Sequence, residues 1–131
     1  MEKQKTMKTK KQKETEKERK SYSVSREEKE LVELFKSVKG WASDKDLLHK
    51  ENVDYQILKV NEEIGELNGA LARKDAEGII DGIGDGFVTL IILSHQLGID
   101  PREALLYAWN EIKDRTGKTE NGVFVKDKEE A

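Results

Sequence analysis

The 131-residue chain contains no cysteine. Disulfides, thiolate metal sites and cysteine nucleophiles are therefore excluded, and a reducing compartment, the cytoplasm, fits best. Long apolar runs are also missing. The longest, Val88-Thr89-Leu90-Ile91-Ile92-Leu93, falls far short of the ~20 residues that span a bilayer, so no membrane partner is expected. The basic start of the chain lacks the apolar stretch and small-residue cleavage site of a secretory signal. Residues 1–20 offer only Met1 and Met7 as apolar side chains, among eight lysines, one arginine and four glutamates, a net of +5. Such a segment has nothing with which to build a core, and residues 1–24 read as a disordered basic tail. The interspersed glutamates, and the absence of any aromatic residue before Tyr22, argue against an arm that grips nucleic acid.

Charge is plentiful but uneven. Charged residues make up 39% of the chain, and past residue 20 there are 15 basic and 23 acidic side chains, a net of −8. A fold that acidic needs a metal ion or local Lys and Arg if it is to handle nucleotides. The length suits one domain, placed here at residues 25–126, with a charged end at 127–131.

Four helices can be read along that domain. Ser25 and Glu28 have the spacing of a capping box, and Leu31, Leu34, Phe35 and Val38 follow at helical intervals as far as Gly40 and Trp41. Residues 43–52 read as a connection. Val53, Ile57, Val60, Ile64, Leu67 and Leu71 then form one unbroken apolar stripe, closed by Arg73-Lys74-Asp75. The third helix, about Ala76 to Leu97, is apolar around most of its circumference, which predicts burial on several sides. Gly98 and Ile99 suit its C-terminal cap. Asp100-Pro101-Arg102-Glu103 opens the fourth helix, with Ala104, Leu105, Ala108, Trp109 and Ile112 on its apolar face. Gly117 stops it before a short extended tail, Gly122-Val123-Phe124-Val125.

Two of these helices carry acids in a pattern. Glu62, Glu63 and Glu66 fall within about 100° of arc, Glu63 bordering the apolar stripe and Glu62 pointing furthest from it. By itself this is also what a solvated surface looks like, with Lys59 pairing to Glu63 at i,i+4. On the third helix Asp81 and Asp85 share a face in an otherwise aliphatic segment, where unpartnered carboxylates would be costly. Gly78, Gly82, Gly84 and Gly86 accompany them, residues that suit either tight helix packing or close approach of a ligand. Facing carboxylates without cysteine or a histidine pair specify a hard cation, magnesium or manganese. His49 and His95 read as structural residues.

These residues together resemble the MazG-like branch of the all-α nucleoside triphosphate pyrophosphohydrolases, over roughly residues 27–126. Glu62-Glu63-Ile64-Gly65-Glu66 satisfies that family's E-E-x-x-E motif. Gly82-Ile83-Gly84-Asp85 keeps the aspartate of its E-x-x-D motif but has glycine in place of the glutamate, with Asp81 one residue upstream. Asn110, Lys113 and Arg115 stand where the family holds phosphates, and Trp41 resembles an aromatic residue that lines the base pocket. The resemblance implies an all-α, four-helix MazG-like bundle completed by pairing into a homodimer or homotetramer. It implies hydrolysis of a nucleoside triphosphate to the monophosphate and pyrophosphate. Magnesium would be held by Glu63, Glu66 and Asp85 with Asp81 in support, and Glu62 would complete the shell or orient water as general base. The loss of the glutamate at position 82 keeps a second expectation open: a catalytically inactive MazG-like interaction module.

Overall fold

A computed structural model describes residues 25–128. The expectations for the tail at 1–24 and for the last residues of the chain lie outside that range. The described chain is mostly helical, with a small two-stranded sheet, and it divides into two units at Lys36 and Ser37. Helix α1, Arg26–Asp44, crosses that division. Its start is the reciprocal cap expected from the sequence: the Glu28 N–H donates to Ser25 Oγ at 3.1 Å, and the Ser25 N–H donates to Glu28 Oε2 at 2.6 Å. Up to Lys36 the helix carries surface ion pairs, Arg26 with Glu30 and Lys36 with Glu33.

In the second unit α1 continues to Asp44, past the expected end at Trp41, and Ala42 is wholly buried. A short 3-10 turn at Lys50–Asn52 leads into α2, Val53–Arg73. Lys74 adopts a left-handed conformation, φ 55°, and its N–H donates to the carbonyls of Ala70 and Leu71. The Asp75 carboxylate then accepts the Gly78 N–H at 3.0 Å, capping α3, Ala76–Gln96. Only Lys74 and Asp75 separate the two helices, so they return antiparallel and side by side.

Their packing is the main interior of the unit. Ala70 lies against Gly78, Leu67 against Gly82 and Ile64 against Gly86. Further along, the buried Gln56 side chain donates to the Thr89 carbonyl at 3.0 Å. A backbone carbonyl has two lone pairs, so Thr89 can accept from Gln56 beside any helical bond, while Thr89 Oγ1 donates to the carbonyls of Asp85 and Gly86. A side chain at Gly82 would stand 3.0 Å from Leu67 Cβ and 3.1 Å from its Cα. Glycine there is a condition of the helix crossing, since overpacking costs roughly 1–3 kcal/mol.

The expected burial of α3 on several sides needs correction. Gly82, Gly86, Thr89, Ile92 and Gln96 form a buried face together with Ile91, but Ile80, Ile83, Phe87 and Leu90 are exposed, Ile80 at 75%. A single hairpin partner covers one side of a helix and no more. The α3 C-terminus closes as expected: Gly98, φ 70°, donates to the His95 carbonyl, and Ile99 donates to Ser94 at 2.8 Å. Asp100 caps α4, Pro101–Ile112, by accepting the Arg102 N–H at 2.9 Å. Arg102 also grips the Asp100 carboxylate, whose pKa its hydrogen bonds lower to about 2.

No residue of α4 is buried. The extended tail is a hairpin: β1, Gly117–Glu120, pairs antiparallel with β2, Val123–Lys126. Asn121 and Gly122 both have positive φ, the two-residue turn that asparagine–glycine favours. The all-α expectation therefore gains a small sheet, whose first strand was not anticipated.

Candidate functional site

The antiparallel register brings the two acidic motifs together. A cleft of about 460 Å³ between α2 and α3 is lined by Glu62, Glu66, Asp81 and Asp85, over bare backbone at Gly65, Gly69, Gly78 and Gly82. Arg73 closes the list of charged side chains on it. Glu63 stands beside these acids at the edge of the interior. Its side chain is only 13% exposed, against 53% for Glu62, as the helical angles predict.

Burial pushes the Glu63 carboxyl above its ordinary range, and the negative charges of Glu66, Asp85 and Glu62 push it further. Lys59 opposes this weakly. Its ammonium sits 3.0 Å from Glu62 Oε2 but 3.9 Å from Glu63 Oε1. The hydrogen bond to Glu62 raises the lysine's own pKa. Exposed pairs of this kind contribute little, so the surface arrangement foreseen for Lys59 exists and still leaves the cluster short of positive charge. Glu63 Oε2 is buried without a hydrogen-bond partner. A buried carboxylate oxygen in that condition is costly unless a cation satisfies it.

All-oxygen donors of this type suit magnesium or manganese. Among the described residues, however, no three such side chains stand close enough together to hold an ion. A cation would have to draw them in, and the exposure of Glu62, Glu66 and Asp81 leaves room for those side chains to rotate. The aliphatic segment does not bury the aspartate pair: Asp81 is exposed and Asp85 half-buried. Gly82 lines the cleft and also lies against Leu67, so the Cβ of any side chain at that position would press on the helix contact.

The remaining expected site residues are placed elsewhere. Asn110 and Lys113, at the end of α4, and Trp41 on α1 do not line the acidic cleft. Trp41 is 52% exposed. Arg115 lies on a separate surface depression with Glu111, Asp114, Lys126 and Asp127. His49 bonds to Asp46, which raises the imidazole pKa. Burial lowers that of His95, with Lys39 acting in the same direction.

Arg73 is the residue that sequence reasoning passed over, having taken it as a cation at a helix terminus. The available signal was Gly69, four positions earlier on the same face. Without a side chain at Gly69, the Arg73 guanidinium folds back along α2, Nη1 standing 2.9 Å from where a Cβ would be.

No established family profile matches the chain, and no solved structure matches it. Over 71 residues it is 38% identical to a protein of Haemophilus phage HP1 (strain HP1c1), described as an uncharacterized 18.2 kDa protein in the rep-hol intergenic region. The match covers 54% of this chain and 44% of the phage protein, so the chain spans less than half of that relative's length. Among the described residues no helix is long and apolar enough to cross a membrane.

Proposed function

We propose that the chain is a magnesium-dependent nucleoside triphosphate pyrophosphohydrolase of the MazG-like kind, acting in the cytoplasm. The observation that carries this reading is the unpartnered, buried Glu63 oxygen among Glu66, Asp85 and Glu62 beside an open cleft. Glu63, Glu66 and Asp85 would hold the ion, with Asp81 in support. Magnesium, or manganese in its place, supplies charge neutralisation at the phosphates and a lowered pKa for the attacking water. Glu62, more exposed than Glu63, would accept the proton as water attacks between the α- and β-phosphates. The bond to the leaving oxygen breaks, and nucleoside monophosphate and pyrophosphate depart.

Asn110, Lys113 and Arg115 would contact phosphate oxygens, and Trp41 the base, only in an assembly that brings them to the cleft. A homodimer or homotetramer is the proposed assembly, supported by apolar side chains that one chain leaves open: Ile80 and Phe87 on α3, Leu105 and Trp109 on α4. The second reading, an inactive MazG-like interaction module, draws on Gly82, which lacks the family's glutamate and where an added side chain would press on Leu67.

Pyrophosphate release, measured across ribo- and deoxynucleoside triphosphates with magnesium, tests the choice. At least one substrate should be turned over, and Glu66→Gln should lower the rate by ~100-fold or more. No release from any nucleotide, with magnesium or with manganese, would leave the module reading standing.

A further inference from the structure

The α2–α3 cleft is electrically asymmetric along its length. Glu62 and Asp85 mark one end, and Arg73 and Gly78 mark the other, beside the Lys74-Asp75 junction. Among the described residues the Arg73 guanidinium has neither an ion pair nor a hydrogen bond, although four carboxylates line the same cleft. An arginine left unpaired in so acidic a cleft keeps its five donors available to something else. Its position is held by a specific feature, the empty space over Gly69. Folding back brings the guanidinium to the level of the Gly69 backbone, about one helical turn before Arg73 itself. The acids and the guanidinium thus line one cleft, as a ligand that joins a metal ion to phosphoryl oxygens requires.

We infer that Arg73 binds the pyrophosphate portion of the metal-bound nucleotide, so that the carboxylate end of the cleft takes the ion and the Arg73 end takes phosphate oxygens. This rests on the proposed role of the acids in holding magnesium. The planar guanidinium offers two parallel N–H donors to a phosphate, which a lysine ammonium does not. It supplies from within α2 a phosphate contact that Asn110, Lys113 and Arg115 do not supply in the single chain. The leaving pyrophosphate carries most of the ligand's charge, so Arg73 acts on binding and departure of that group and not on the base.

Calorimetric titration of the full chain with magnesium alone, with inorganic pyrophosphate alone and with both tests this directly. Arg73→Gln should weaken pyrophosphate binding in the presence of magnesium by about 10–100-fold, leave the affinity for magnesium alone unchanged and leave the melting temperature near that of the parent. Arg73→Lys should recover part of the loss. Gly69→Ala provides a control that cannot be mistaken for unfolding. A methyl there should raise the melting temperature through helix propensity, yet displace the guanidinium and weaken pyrophosphate binding severalfold. If Arg73→Gln binds magnesium and pyrophosphate as the parent does, the Arg73 role is wrong and the acidic metal site survives. If magnesium does not bind but pyrophosphate binds in an Arg73-dependent manner, the metal reading falls and the anion site stands. Failure of the parent chain to bind either probe overturns both.

Discussion

Between Val53 and Gln96 the chain buries residues on both helices, whereas from Pro101 to Lys126 it buries none. Both stretches carry helical apolar stripes of the same kind. The difference lies in what stands opposite. Helix α2 meets α3 two residues further along the chain and buries Val60 and Ala70, although Ile57, Ile64 and Leu71 of its stripe stay 43–53% exposed; α4 buries nothing, and its Leu105, Trp109 and Ile112 are 46–69% exposed. Periodicity therefore marks a face as apolar without specifying whether or by what it is covered.

The contrast is broken most severely at Gly82. Gly82→Glu introduces the glutamate of the MazG-like motif, but its Cβ presses on Leu67 at the helix contact. Overpacking costs roughly 1–3 kcal/mol. Thermal melting followed by circular dichroism should fall by on the order of 10 °C or more. A variant that melted like the parent and turned over nucleotide faster would mean that the crossing adapts and that glycine there serves no packing purpose.

A smaller effect is expected from the uncovered region. If a second copy covers α4, Leu105→Glu together with Trp109→Glu should weaken self-association at least tenfold, about 1.4 kcal/mol, without unfolding α2–α3. Sedimentation velocity reads this out. A parent chain that sediments as a monomer at micromolar concentration would leave the α4 stripe without the proposed cover.

The smallest effect concerns Glu63. Its pKa is raised in the folded state, so ionising it there is harder than in the unfolded chain. The fold is thus penalised as pH rises through the folded-state value, and the penalty vanishes below the ordinary value of about 4.5, where both states are protonated. Without metal, Glu63→Gln should melt higher than the parent at pH 8 and no higher at pH 4. Equal melting at both pH values would show that this carboxylate does not bear the charge crowding assigned to it.

Much of the helical framework was legible because each boundary has a local chemical cause. The Ser25–Glu28 box, the caps at Asp75 and Asp100 and the left-handed Gly98 act over three or four residues, within reach of pattern reading. The acidic pairing was legible for a related reason: helical angles fix which side of α2 Glu63 occupies, and a two-residue connection fixes what α3 can face. Gly82 was ambiguous, since the sequence does not contain the 3.1 Å distance to Leu67 Cα that decides between packing and ligand. Arg73 was missed because its role depends on a side chain folding backward over Gly69. The strand Gly117–Glu120 was missed although Asn121-Gly122 signals a hairpin, because its partner, Val123–Lys126, was read alone. The placement of Asn110, Lys113 and Arg115 away from the cleft had no local signal at all.

The junction at Lys74 and Asp75 has a consequence for how the cleft comes into being. Residues that face each other across it, such as Glu66 and Asp81, are fifteen positions apart in the chain, so closing the loop between them sacrifices little chain entropy. Contacts of such short range form early in folding. On a growing chain the acidic cleft and Arg73 are complete once α3 has been made, before α4 exists.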